Sequence, residues 1–169
     1  MDALEVTIRG ERAEDADPIR HVHTASFPSP AEGHLVDLLR ASTNLAISLV
    51  ATVDGIVVGH VAFSPVTVAW DVVGLGLAPL AVLPAFRARG VGTRLVRAGL
   101  AACSASGCGW VVVLGEPDFY GRFGFGPASA LGLHDAYAGG PAFQVVEFSD
   151  GAAPRGAGLV SYGPEFDSL

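Results

Sequence analysis

A nearly continuous apolar run from Val72 to Leu83 leads into Arg87-Ala88-Arg89-Gly90-Val91-Gly92. A helical pattern follows to about Ser106, and then a second apolar run from Trp110 to Leu114. Runs of this kind read as strands buried on both faces. One helix joining two such strands predicts a parallel pair with a right-handed crossover. Pro79 falls inside the first run and has no N–H to give a ladder, so the strand is expected to bulge or splay there.

The other elements extend this unit on both sides. Leu4 to Arg9 alternates apolar and polar residues, a strand signal. An acidic run from Glu11 to Asp17 leads into apolar positions at Ile19 and Val22, as at the start of a helix. Ser29-Pro30-Ala31-Glu32 has the form of a capping box with Pro at the first helical position, and it opens a helix carrying Leu35, Leu38 and Leu39 on one face. Ala46 to Val53 and Ile56 to Val68 are β-branched runs joined by Asp54-Gly55, which predicts a hairpin. After Leu114 come an aromatic cluster from Phe119 to Phe125, a strand from Phe143 to Phe148 and a short strand from Leu159 to Tyr162. This order predicts a mixed sheet with helices on its faces. With 169 residues and no linker before the last twenty, the chain reads as one domain over 1–169.

All ten basic residues are arginines, and the net charge is -7. An acidic chain without a basic stripe argues against a nucleic-acid partner and fits a cationic substrate better than an anionic one. No Cys/His grouping has zinc spacing, so no metal is expected. Cys103 and Cys108 are too few for a disulfide framework and read as packing residues. The N-terminus lacks a basic n-region, and the run from Val72 to Phe86 is too short and too interrupted by Pro79 and Pro84 to cross a bilayer. A soluble, cytoplasmic protein with no membrane partner is expected.

Two groups of residues could carry chemistry. In Arg87-x-x-Gly90-x-Gly92 the glycines remove Cβ atoms at a helix start, where backbone N–H groups and the helix dipole favour an anion. The spacing is not that of a dinucleotide fingerprint, and without lysine it is no P-loop. A plain glycine-rich turn is the structural alternative. In the aromatic cluster, Phe119, Phe123 and Phe125 read as core residues. Tyr120 differs, because a buried phenol needs a polar partner.

The stretch Val82-Leu83-Pro84-Ala85-Phe86-Arg87-Ala88-Arg89-Gly90-Val91-Gly92-Thr93 resembles the acetyl-CoA motif of the GNAT superfamily of N-acetyltransferases. The later stretch from Leu114 to Phe125 is similar to the family's Tyr-x-x-x-Gly-Phe segment, here beginning at Tyr120. Its fuller form, with Glu32 to Arg40 and Val58 to Pro65, resembles the YhbS-type N-acetyltransferases, and the likeness runs from about Val6 to Leu169. The resemblance implies an α/β (α+β) domain with a mixed sheet of about six to seven strands, splayed centrally and flanked by about four helices. It implies acetyl-CoA as co-substrate, lying between the strands that end at Leu83 and Leu114. Backbone groups of Leu80, Ala81 and Val82 would meet the pantetheine arm and acetyl carbonyl. N–H groups of Arg87, Ala88, Arg89, Gly90, Val91, Gly92 and Thr93 would hold the pyrophosphate. Tyr120 would protonate the leaving thiolate as an amine attacks the thioester directly.

An alkylammonium has a pKa of about 10.4, so a base would help the amine attack near neutrality. Many relatives place a carboxylate on the central strands, but this chain has no Asp or Glu from Val72 to Gly115. Glu32, Asp71, Glu116 and Asp118 remain. Glu32 is explained by the capping box, and Glu116 and Asp118 by solvated turn positions, so no base is assigned. The missing carboxylate keeps a rival open, a non-catalytic acyl-CoA-binding module. The small residues Gly74, Gly76 and Ala78 keep open an acyltransferase using a longer or carrier-bound acyl thioester. The acceptor is a small-molecule or protein amine, and the chain a monomer or homodimer.

Overall fold

The computed structural model describes residues 4–69 and 72–169. The chain order is β1 (Val6–Gly10), α1 (Ala16–Ser26), α2 (Ala31–Ala41), β2 (Ile47–Val53), β3 (Ile56–Val68), β4 (Val72–Val82), α3 (Val91–Ala105) and β5 (Trp110–Leu114). The short helix α4 (Pro117–Tyr120) then precedes β6 (Gly126–Pro127), β7 (Leu133–Asp135), β8 (Phe143–Glu147) and β9 (Gly158–Tyr162). The expected order of strands and helices is present. Among the described residues the sheet has nine strands rather than six or seven, because β6 and β7, of two and three residues, are too short to leave a periodicity in the sequence.

The sheet runs β1-β2-β3-β4-β5-β8-β6, and β9 joins it at β3 and carries β7. β1 to β4 are antiparallel in sequence, and β4 pairs parallel with β5, as the strand–helix–strand pattern requires. Asp54 and Gly55 both have positive φ, 51° and 76°, the conformation of a tight hairpin turn whose twist matches the strands.

Neighbouring β3 residues point to opposite faces. Val58, Val61 and Phe63 meet Val91, Leu95 and Val96 of α3 in one cluster, while Val57 joins Ile19 and Val22 of α1 and Val36 of α2 in another. A Cβ at Gly99 would overlap the Phe63 ring, so glycine there sets how closely α3 lies on the sheet. On α2, Leu35, Val36 and Leu39 are buried and Leu38 is half-buried. Gly74 and Gly76, which left open space for a longer acyl chain, are covered: Cβ atoms there would collide with the rings of Trp110 and Tyr162.

α1 is also anchored by a polar chain. His23 Nε2 lies 2.8 Å from His60 Nδ1, and His60 Nε2 lies 2.8 Å from Ser48 Oγ. Ser48 Oγ donates to the Glu11 carboxylate (2.9 Å), which also accepts from Arg40. A carboxylate can only accept, so the hydroxyl proton goes to Glu11 and Ser48 accepts from His60 Nε2–H. His60 Nδ1 then accepts from His23 Nε2–H, and both rings are neutral. Both are fully buried, and desolvation pushes His23 down to about 4 and His60 well below the usual histidine range.

The unfolded chain therefore binds protons on these rings at higher pH than the folded chain does. Their contribution is fully present above about pH 6.5 and is lost as pH falls toward 4. We expect the melting temperature to decline across this window. A His23→Phe/His60→Leu double variant, scanned by calorimetry from pH 8 to 4, should lose that part of the slope.

Candidate active site

β4 and β5 pair over only three residues, Leu75–Val111, Gly76–Val112 and Leu77–Val113. The register of β4 against β3 slips at the same place: Leu77 faces Phe63 and Leu80 faces Val61, so Ala78 and Pro79 share one partner position. From there to Val82, β4 has a strand on one edge only, while β5 turns away at Leu114 into α4. The bulge anticipated at Pro79 thus opens the sheet.

A groove of about 490 Å³ lies in this opening. Leu80, Ala81, Val82, Arg87, Ala88, Gly90, Val91, Gly92 and Thr93 line it, nine of the eleven residues singled out in the sequence. Arg89 is exposed and lies outside the lining. Gly90 has a φ of 80° and caps α3, and the first helical bond runs from Arg94 N–H to Gly90 C=O at 3.1 Å. The N–H groups of the preceding residues have no acceptor within the helix, and the helix dipole adds positive charge at this end. A Cβ on Gly92 would meet only Val82 and Phe119, each at 3.8 Å.

Among the described residues the charged ones lining the groove are Arg87 and Arg122, with no acid. Arg87 donates from Nε to Val82 C=O (3.1 Å) and from Nη2 to Ser26 C=O (3.4 Å), tying the loop to the end of α1. Arg122 lies over the Phe119 ring, 5.0 Å from its centroid. Phe119 and Phe123 are half-buried, and Phe119 is groove wall; Phe125 alone of the three phenylalanines is fully in the core. The sequence reading missed Ser26, Phe27, Phe86, Phe119 and Arg122 as lining. Phe119 and Arg122, three apart in the aromatic segment, carried the only local signal. Helix N-terminal donors, two arginines and no acid fit a pyrophosphate.

A second cavity, of about 260 Å³, adjoins the groove and shares Phe27 and Leu80 with it. Tyr120 lines this cavity rather than the groove. Its ring packs edge-on against Phe119 and Phe125, and a Cβ at Gly115 would overlap it. Burial pushes the phenol up to about 12, with no hydrogen bond offsetting it.

Glu32 lines the same cavity. The expected capping box does not form. Pro30 occupies the cap position of α2, Ser29 Oγ accepts from Ala31 N–H at 3.2 Å, and no side chain caps the helix. The φ of Pro30 allows it to begin the turn itself, which moves Ser29 one residue too far out to pair with Glu32. Glu32 Oε2 is buried and finds no hydrogen-bond partner among the described residues. Glu116 and Asp118 are exposed and line neither cavity, and Asp71 lies outside the described residues.

The thiols lie away from this opening. Cys103 is buried on the core side of α3, where burial pushes it up to about 12, and Cys108 Sγ donates to Trp110 C=O at 3.0 Å. Among the described residues no group of three or more His, Cys, Asp or Glu could hold a metal ion, and no helix is long and apolar enough to cross a membrane.

Residues 44–127 match the acetyltransferase (GNAT) domain family. The chain is 42% identical over 163 residues to the uncharacterized N-acetyltransferase YhbS of Escherichia coli strain K12, covering 95% of this chain and 98% of that one. The crystal structure of the Escherichia coli YhbS in complex with CoA superposes with a TM-score of 0.92 at 42% identity, over 99% of this chain and 94% of the other. A GNAT family acetyltransferase from Brucella melitensis, in complex with acetyl-CoA, gives a TM-score of 0.82 at 38% identity, over 96% and 99% of the two chains. With likeness of this extent in both sequence and structure, around a sheet that splays between β4 and β5, the chain belongs to the GNAT family of N-acetyltransferases and is an acyltransferase.

Proposed function

We propose that the protein transfers the acetyl group of acetyl-CoA directly to a primary amine, within a complex that holds both substrates. The observation that carries this is the junction at Phe27 and Leu80, where a groove suited to a polyanion meets a cavity containing a phenol. The complexes of the Escherichia coli and Brucella melitensis relatives with CoA and acetyl-CoA support the choice of co-substrate.

In this reading the N–H groups from Arg87 to Thr93 hold the pyrophosphate, with Arg87 and Arg122 beside it. The edge of β4 at Leu80, Ala81 and Val82, which has no strand partner on the β5 side, takes the pantetheine arm and the acetyl carbonyl. The amine attacks the carbonyl carbon and the C–S bond breaks. Tyr120 donates a hydrogen bond to the departing sulfur. A thiol has a pKa of about 8.5, so full proton transfer from a phenol held near 12 is uphill by roughly 5 kcal/mol. Tyr120 therefore stabilises the thiolate mainly as a neutral donor. No covalent acyl-enzyme is involved, in keeping with thiols that lie away from the junction. The covered glycines at 74 and 76 favour a short acyl group.

The reading is tested by following thiol release from acetyl-CoA across a panel of primary amines, alongside calorimetric binding of CoA. Binding without amine-dependent release would instead make the protein an acyl-CoA-binding module.

Three substitutions follow. Gly92→Val should fold normally, since a Cβ there meets nothing closer than 3.8 Å, yet weaken CoA more than about 100-fold by filling the groove. Unchanged affinity in calorimetry would remove the pyrophosphate assignment. Arg87→Ala should weaken CoA by only about 1–2 kcal/mol, because backbone donors are the main clamp. Tyr120→Phe keeps the ring packing, so melting temperature and CoA affinity should hold while kcat falls about 10²-fold. A variant with wild-type kcat would end the donor role.

A further inference from the structure

Among the described residues Glu32 is the one charged side chain lining the cavity next to the groove. It stands three residues before Leu35, so helical spacing sets it on the face that α2 turns toward the protein. Its side chain does not serve the helix terminus, and its Oε2 is out of water with no donor among the described residues. A carboxylate oxygen in that position is costly unless a cation or donor completes it. The other side chains of the lining are apolar, chiefly Phe27, Leu35, Leu77, Leu114 and Leu169, apart from the Tyr120 phenol. Phe27 and Leu80 line both this cavity and the groove, so the two spaces adjoin there.

We propose that this cavity is the acceptor site, that its substrate class is a primary monoamine on a compact apolar body, and that Glu32 binds the ammonium and accepts its proton. The inference rests on the acetyltransferase reading and deepens it. The cavity volume suits a short aliphatic or single-ring amine, and among the described residues Glu32 is the one acidic side chain in the lining, so a second cationic group of a diamine would face apolar side chains. The central strands carry no acid, and here the base comes from a helix.

The protons balance. The ammonium gives one proton to Glu32, leaving a neutral amine and a carboxylic acid. The amine nitrogen bonds to the acetyl carbon, the C–S bond breaks with its electron pair on sulfur, and the second nitrogen proton ends on sulfur to give the amide and the free thiol. Glu32 then returns its proton to solvent. Tyr120, in the same cavity, is placed to hydrogen-bond the sulfur during this exchange.

The test uses the full chain with benzylamine, isopentylamine and putrescine as acceptors. The monoamines should exceed putrescine at least tenfold in kcat/KM. Glu32→Gln should lower kcat/KM for benzylamine 10²–10³-fold at pH 7, with acetyl-CoA affinity and melting temperature unchanged. The deficit should shrink about tenfold per pH unit as the amine approaches its own pKa, because free amine then forms without a base. Glu32→Asp should recover part of the loss. A Gln variant with wild-type kcat/KM and pH profile overturns the proposal.

Benzylamine binding to the protein–CoA complex is measured separately by calorimetry, with benzyl alcohol as the neutral control. If no amine is acetylated but benzylamine binds, and binding is lost in Glu32→Gln and absent for the alcohol, the acceptor site stands and the transfer reading fails. If binding does not depend on Glu32, the site assignment fails whatever the turnover.

Discussion

A parallel pair of strands is held by regularly spaced N–H···O=C bonds, and β4 cannot sustain them through Ala78-Pro79, where proline offers no donor and two residues face one partner of β3. Everything that carries chemistry stands around the consequence. Below that point β4 and β5 form an ordinary buried pair. Above it they separate, and the space between them is lined by the α3 cap, the end of α1 and the aromatic segment after β5. The opening survives because the parts around it are firmly packed: α3 is seated on β3 through Gly99 and Phe63, and α1 is tied to β3 through the two histidines.

The two chambers divide the electrostatic labour. The groove offers helix N-terminal donors and two guanidinium groups without an acid, although the chain as a whole is acidic. The adjoining cavity offers, among the described residues, one acidic side chain and one phenol amid apolar side chains. In the proposed reading local arrangement overrides net charge, since a highly charged anion would be met by fixed donors a few ångströms away while the distributed negative charge is screened.

Much of this was legible in the residue order. Pro79 inside an apolar run announced the splay, and Gly90 and Gly92 at a helix start pointed to the loop that lines the groove. Asp54-Gly55 announced the hairpin. Those signals are local, being properties of a backbone without a donor or without a Cβ. Two features were not legible. β6 and β7 are too short to carry periodicity and exist only because β8 and β9 offer them an edge. The role of Glu32 was hidden by a local explanation: Ser-Pro-Ala-Glu has the form of a capping box, and only the placement of Pro30 as the cap frees the carboxylate to face the cavity. Phe119 was similarly read as core because sequence alone cannot separate an aromatic that fills a core from one that walls a groove.

Phe27 and Leu80 border both chambers, and Arg87 links the groove loop to the residue just before Phe27. In the proposed reading two ligands touch the same residues and are not bound independently. Whatever factor the occupant of one chamber imposes on affinity in the other must be returned unchanged in the opposite direction. The half-saturation concentrations of the two ligands are therefore properties of the pair, each defined only at a stated occupancy of the other.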